Sequence, residues 1–92
     1  MELTFKMNKK TYGEGKQALL NYGKFKLSVV NDGYGGSNGK YEIATMDPSG
    51  DFVHLPGITQ ADGIQGWMTK EDVQGAMLKL YTITGTVPVQ EN

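Results

Sequence analysis

Hydrophobic and polar residues alternate most cleanly between 24 and 30, where Phe25, Leu27 and Val29 share one side and Lys24, Lys26 and Ser28 the other. A period of two belongs to a strand with one buried face. It returns at 40–46, where Tyr41, Ile43 and Thr45 oppose Glu42, Ala44 and Met46. Asp47-Pro48-Ser49-Gly50 then supplies the residues of a tight reversal, so 51–55 is expected to return as the next strand. Short connections of this kind favour an antiparallel meander. The segment 1–7 places Leu3 and Phe5 opposite Thr4 and Lys6, the pattern of a further short strand or of a loose arm, and ends in polar Asn8-Lys9-Lys10.

Two segments read as helices. Residues 16–22 are mostly good helix formers and stop at Gly23, which suits a left-handed position after a helix end. The spacing predicts a short helix of about two turns there. Further on, Val73, Ala76, Met77 and Leu80 fall at i, i+3, i+4 and i+7, behind Thr69 and Asp72 in the spacing of a capping box. Glu71 and Asp72 in the first turn and Lys79 in the last complement the helix dipole, while Gly75 costs up to about 1 kcal/mol relative to alanine. Between these regions 56–68 has no period and is expected to be a packed Ω-like loop or a functional one. Residues 81–89, with weak alternation and Pro88, read as a final edge strand or an ordered tail.

The expected fold is therefore α+β: a three- to five-stranded antiparallel meander, one well-capped C-terminal helix and a short N-terminal helix. Ninety-two residues with 38% hydrophobic and 21% charged residues make a single domain spanning 1–92. Without cysteine there is no disulfide, thiolate metal site or cysteine nucleophile. The N-terminal residues lack the pattern of a signal peptide, and no apolar run reaches the length of a membrane span. A cytoplasmic protein, not membrane-bound, is expected.

Charge is unevenly spread. Residues 1–40 carry seven lysines against three acids, a balance of +4; residues 41–92 carry two lysines against seven acids, a balance of −5. All nine basic residues are lysines, which argues against guanine reading and bidentate phosphate clamping, both of which use the guanidinium fork. Direct nucleic-acid binding is not expected.

Candidate chemistry is sparse. The stretch Asn31-Asp32-Gly33-Tyr34-Gly35-Gly36-Ser37-Asn38-Gly39-Lys40 has the texture of a phosphate cradle. A dinucleotide fingerprint would need glycine where Asn38 stands, and a P-loop would need Ser or Thr in place of Tyr41; neither would be followed by a helix. A glycine-rich hairpin loop is the simpler reading, with Tyr34 at its tip as a contact residue. His54 is the one histidine and reads as structural or surface; no serine sits in a nucleophile elbow, and no catalytic residue is assigned. Asp47 and Asp51 flank a turn and Glu71 and Asp72 open a helix, so no metal site or cofactor is inferred from the carboxylates. Trp67 is expected in the core, because so small a domain needs its largest apolar side chain.

In size, absence of cysteine and slight acidity the whole chain resembles the small accessory proteins of bacteriophages and other mobile elements, among them inhibitors of bacterial defence such as anti-CRISPR proteins. The resemblance lies in size and texture, without a motif, and carries over no functional residue. It implies stoichiometric occlusion of a larger partner, or sequestration of a signalling nucleotide, in the cytoplasm of a bacterial host cell. The leading expectation is a non-catalytic inhibitor or adaptor that meets a larger protein through Asp32, Tyr34 and Lys40 and through an acidic face of Asp62, Glu71 and Asp72. The alternative is a small-ligand or nucleotide binder using Gly33, Gly35, Gly36, Ser37 and Lys40, with homodimerisation bringing two such loops together. A small hydrolase comes last of the three.

Overall fold

Six strands and one helix carry the chain in a computed structural model that describes residues 3–10, 13–32 and 39–92. In order they are β1 (Asn8–Lys9), β2 (Lys16–Asn21), β3 (Lys26–Val30), β4 (Tyr41–Met46), β5 (Ile64–Met68), α1 (Lys70–Thr84) and β6 (Val89–Gln90). The sheet is antiparallel in the order β1-β2-β3-β4-β5, with β6 also on β2. β1 to β5 each pair with their neighbours in sequence, whereas β6 returns to β2.

The alternation over 24–30 and 40–46 does what it predicts. Leu27, Val29, Ile43 and Thr45 point to one face and are fully buried there. The helix α1 supplies the other half of the core with Val73, Ala76, Met77 and Leu80, the stripe read from their spacing. Thr69 adopts extended φ −75°, ψ 169° and forms both halves of the capping box with Asp72. Gly85 ends the helix at φ 67°, its N–H donating to the Tyr81 carbonyl.

In place of the expected N-terminal helix over 16–22 stands strand β2, with Tyr22 just beyond its end. Ala18, Leu20 and Tyr22 are buried and alternate with partly exposed Gln17, Leu19 and Asn21. Pairing from Gln17↔Val30 to Asn21↔Lys26 satisfies this backbone with β3, so tertiary pairing overrides helix propensity. Gly23, at φ 82°, turns the β2–β3 hairpin, with the Asn21 side chain accepting its N–H at 2.7 Å.

The strand expected over 51–55 shrinks to a single bridge between Met46 and Phe52. The Asp47 turn forms as expected, its carboxylate accepting the Ser49 and Asp51 N–H groups at 3.0 Å. Pro56 and Gly57 then lead the chain away through a turn, and the place beside β4 goes to β5, inside the segment expected to be irregular. Thr45 joins the two connections: its N–H donates to the Gly63 carbonyl at 2.9 Å, and its hydroxyl lies 2.6 Å from the Val53 carbonyl and 2.7 Å from the Thr59 hydroxyl.

The described part of the N-terminal segment, residues 3–7, is neither strand nor loose. Leu3 joins the core and Phe5 meets Tyr41 edge to face at 5.6 Å between ring centroids. At the other end, 81–84 continue α1, and the final edge strand is confined to β6. β1 takes the Lys16 and Gln17 end of the outer edge of β2, and β6 takes Leu20 and Asn21. Between them Glu91 donates its N–H to the Leu19 carbonyl, and the Asn92 side chain binds the Leu19 N–H and the Gln17 carbonyl.

Candidate functional site

Trp67 is not in the core; it is 52% exposed. The cause is local. Ile43 pairs with Gln65 but Tyr41 pairs with Met68, so two residues of β5, Gly66 and Trp67, stand opposite Glu42 alone. This is a β-bulge, and bulges re-aim side chains. Trp67 sits in it at φ 56° and is the single non-glycine residue with positive φ among those described. A bulky side chain in this region costs about 1–2 kcal/mol.

The bulge borders a groove of about 610 Å³ between β5 and α1. Gln65 to Met68 form one wall, Glu71, Asp72, Gly75, Ala76 and Lys79 the other, and the 57–59 turn closes the end. Gly75 widens the groove, since a Cβ there would meet nothing within 4 Å. Lys79 donates to the Gly57 carbonyl at 2.8 Å and ties the turn to the helix. From that end an apolar extension of about 540 Å³ continues between Leu55, Pro56, Leu78 and Ile83, the last two half exposed.

At the opposite end, the Thr69 N–H and hydroxyl hold the Asp72 carboxyl below its ordinary value, and the nearby Lys40 ammonium adds to the effect. Asp72 therefore stays ionised at neutral pH. Glu71 beside it is exposed.

The structure gathers only part of the expected contact surface. Glu71 and Asp72 line the groove, and Lys40 stands near enough to Asp72 to act on its carboxyl. Asp62 does not join them: its side chain accepts the Ile64 N–H at 3.0 Å, at the far end of β5, about 13 Å away along a strand of that length. Asp32 is engaged by Lys10, whose ammonium lies 2.6 and 2.8 Å from its carboxylate oxygens. Tyr34 and the ligand-binding alternative at Gly33, Gly35, Gly36 and Ser37 lie outside the described residues. His54 is exposed, with Nδ1 2.8 Å from the Gln60 carbonyl oxygen.

Gln65, Gly66 and Lys79 were not legible as groove residues. Two signals pointed toward the groove: a glycine kept in the middle of a helix at its own cost, and a Gly-Trp pair in a stretch without period. Among the described residues no three His, Asp or Glu side chains gather as a metal site would require, and no helix is long and apolar enough to cross a membrane. Compared with known proteins, the chain matches no family model, no curated protein and no solved structure.

Proposed function

We propose that this chain is a non-catalytic protein-binding module, an inhibitor or adaptor that covers a site on a larger protein, with Trp67 as its anchor. The observation that carries the reading is Trp67 itself, held half exposed at φ 56° in a bulge beside an open groove. A fold of marginal stability keeps such strain where the strained side chain has work to do. Tryptophan loses little conformational entropy on docking and is enriched among the residues that dominate interfaces.

Glu71 and Asp72 flank the anchor with negative charge, which steers a basic surface toward it. The resemblance to phage accessory proteins supplies the setting for this reading: a bacterial cytoplasm and a host defence protein as the larger partner. The experiment is native mass spectrometry of the protein recovered from a bacterial lysate, run beside Trp67→Ala and Glu71→Lys. A protein partner held at fixed stoichiometry by the wild type, lost from the tryptophan variant and weakened in the other, is expected. Equal retention by a folded Trp67→Ala variant overturns the proposal, as does retention of a small molecule alone.

A further inference from the structure

Sheet edges decide what a small antiparallel sheet can accept. The outer edge of β2 is already covered by β1, β6 and the Asn92 side chain. β5 is the last strand on the other side, and among the described residues no strand pairs with its outer edge. The direction of its backbone groups follows from the ladder. Gly63 faces β4 through the Thr45 N–H, and Ile64 faces away, its N–H to Asp62 and its carbonyl accepting from Gln60. Gln65 faces β4 again, opposite Ile43. Gly66 follows at the bulge, where the regular pairing with β4 is interrupted, and its carbonyl receives a long contact, 3.4 Å, from the Gln65 amide.

Charge gives the groove a direction. Glu71 and Lys79 line the same wall and, eight residues apart on α1, are separated by about 12 Å. β5 begins beside the 57–60 turn, through the Gln60–Ile64 bond, and Lys79 holds that turn at Gly57. β5 ends beside Glu71, with only Thr69 between the strand and the helix. An antiparallel guest therefore enters at Glu71 and leaves at Lys79. About 12 Å of extended chain spans close to four residues, an even number that returns the side chain to the same face.

We infer that the groove takes up an extended segment of the partner protein as an antiparallel strand on β5, with a basic side chain at Glu71 and an acidic one about four residues later at Lys79. The guest pairs with the outer edge of β5, and its apolar side chains lie between Trp67 and the open space above Gly75. Lys79 spends one donor on Gly57 and keeps two for the guest carboxylate. This inference rests on the reading of the Trp67 groove as a protein-binding site.

The test uses two synthetic peptides of about ten residues, the usual length of a long strand. Both are rich in Val and Thr; one carries Lys before Glu at the stated spacing and the other carries Glu before Lys. Titrations are followed by backbone amide NMR shifts of the full chain. The Lys-first peptide is expected to bind at least about fivefold more tightly, the equivalent of about 1 kcal/mol for two exposed pairs together, and to shift the amides of 65–68. Glu71→Lys, with its fold checked in the same amide spectra, should abolish that preference, and Glu71→Lys with Lys79→Glu should invert it.

Equal affinity for the two peptides, shifts confined to other strands, or binding by neither peptide would overturn the strand-addition inference. If Trp67-dependent capture of a protein persists in that case, the binding reading stands and only the guest's form is wrong. Peptide binding without Trp67-dependent capture overturns the larger reading instead.

Discussion

The Tyr22 hydroxyl donates to the main-chain carbonyl oxygen of Met77 at 3.0 Å, in the buried space where the end of β2 meets the middle of α1. This bond fixes the helix against the sheet from a residue that belongs to neither element. Tyr22→Phe keeps the ring and removes the bond, at an expected cost of about 0.5–1.5 kcal/mol in urea unfolding. Burial also pushes the Tyr22 hydroxyl above its ordinary value of 10.0. The unfolded chain then gives up this proton before the folded one does. Its contribution is complete below pH 10.0 and declines as pH rises beyond it, so wild type and Tyr22→Phe should converge in alkali.

Thr69 and Asp72 hold the start of α1 through reciprocal bonds of 3.0 and 3.1 Å. Thr69→Ala should destabilise the fold by about 0.5–2 kcal/mol. Because Asp72 titrates below its ordinary value of 3.8, its contribution is present above that pH and is lost as pH falls through the lowered folded value. The stability difference between wild type and Asp72→Asn, measured by denaturation across the acid range, should shrink accordingly.

Trp67 allows its backbone and its side chain to be tested separately. Trp67→Ala and Trp67→Gly both delete the indole, but only glycine adopts φ 56° without penalty. The glycine variant should be more stable than the alanine variant by about 1 kcal/mol, with both defective in partner capture. Equal stabilities would show that the positive φ carries no strain.

Gly63 and Gly50 both have positive φ, +80° and +93°, yet they should respond differently to alanine. A Cβ at Gly63 would lie 3.0 Å from the Val53 carbonyl oxygen and 3.1 Å from the Phe52 Cβ, whereas one at Gly50 meets nothing within 4 Å. Gly50→Ala should cost about 1–2 kcal/mol, the conformational penalty alone. Gly63→Ala should cost about 2–4 kcal/mol, because the contact between Gly63, just before β5, and the 52–53 segment must also open. Thermal melts of the two variants compare them directly.

What could be read from the sequence follows the range of the interactions. The helix from Thr69 and the strands around Leu27 and Ile43 rest on local periodicity and capping, and the structure has them where the pattern put them. The 16–22 segment reads as helix because Lys16, Gln17, Ala18 and Leu19 favour helix locally, while its state is decided by pairing with Val30 and its neighbours, which no local pattern displays. β5 was hidden for a related reason: Gly66 and Trp67 interrupt the alternation with a bulge, so a strand reads as a loop. Glu71 and Asp72 are legible as acids opening a clear helix, whereas the groove they line depends on the placement of β5, which is not. Trp67 reads as a core residue from its size alone, since its exposure depends on a backbone angle that the residue's identity does not announce.

The outer edge of β2 is divided between two strands of two residues each, β1 on Lys16 and Gln17 and β6 on Leu20 and Asn21. Very short edge strands are one way in which a sheet blunts a side against pairing with another chain. Among the described residues β5, with five residues, is the longest strand that has a neighbour on one side alone. The two sides of the sheet are therefore unequal, and an incoming strand finds a continuous rail on one and two short stubs on the other.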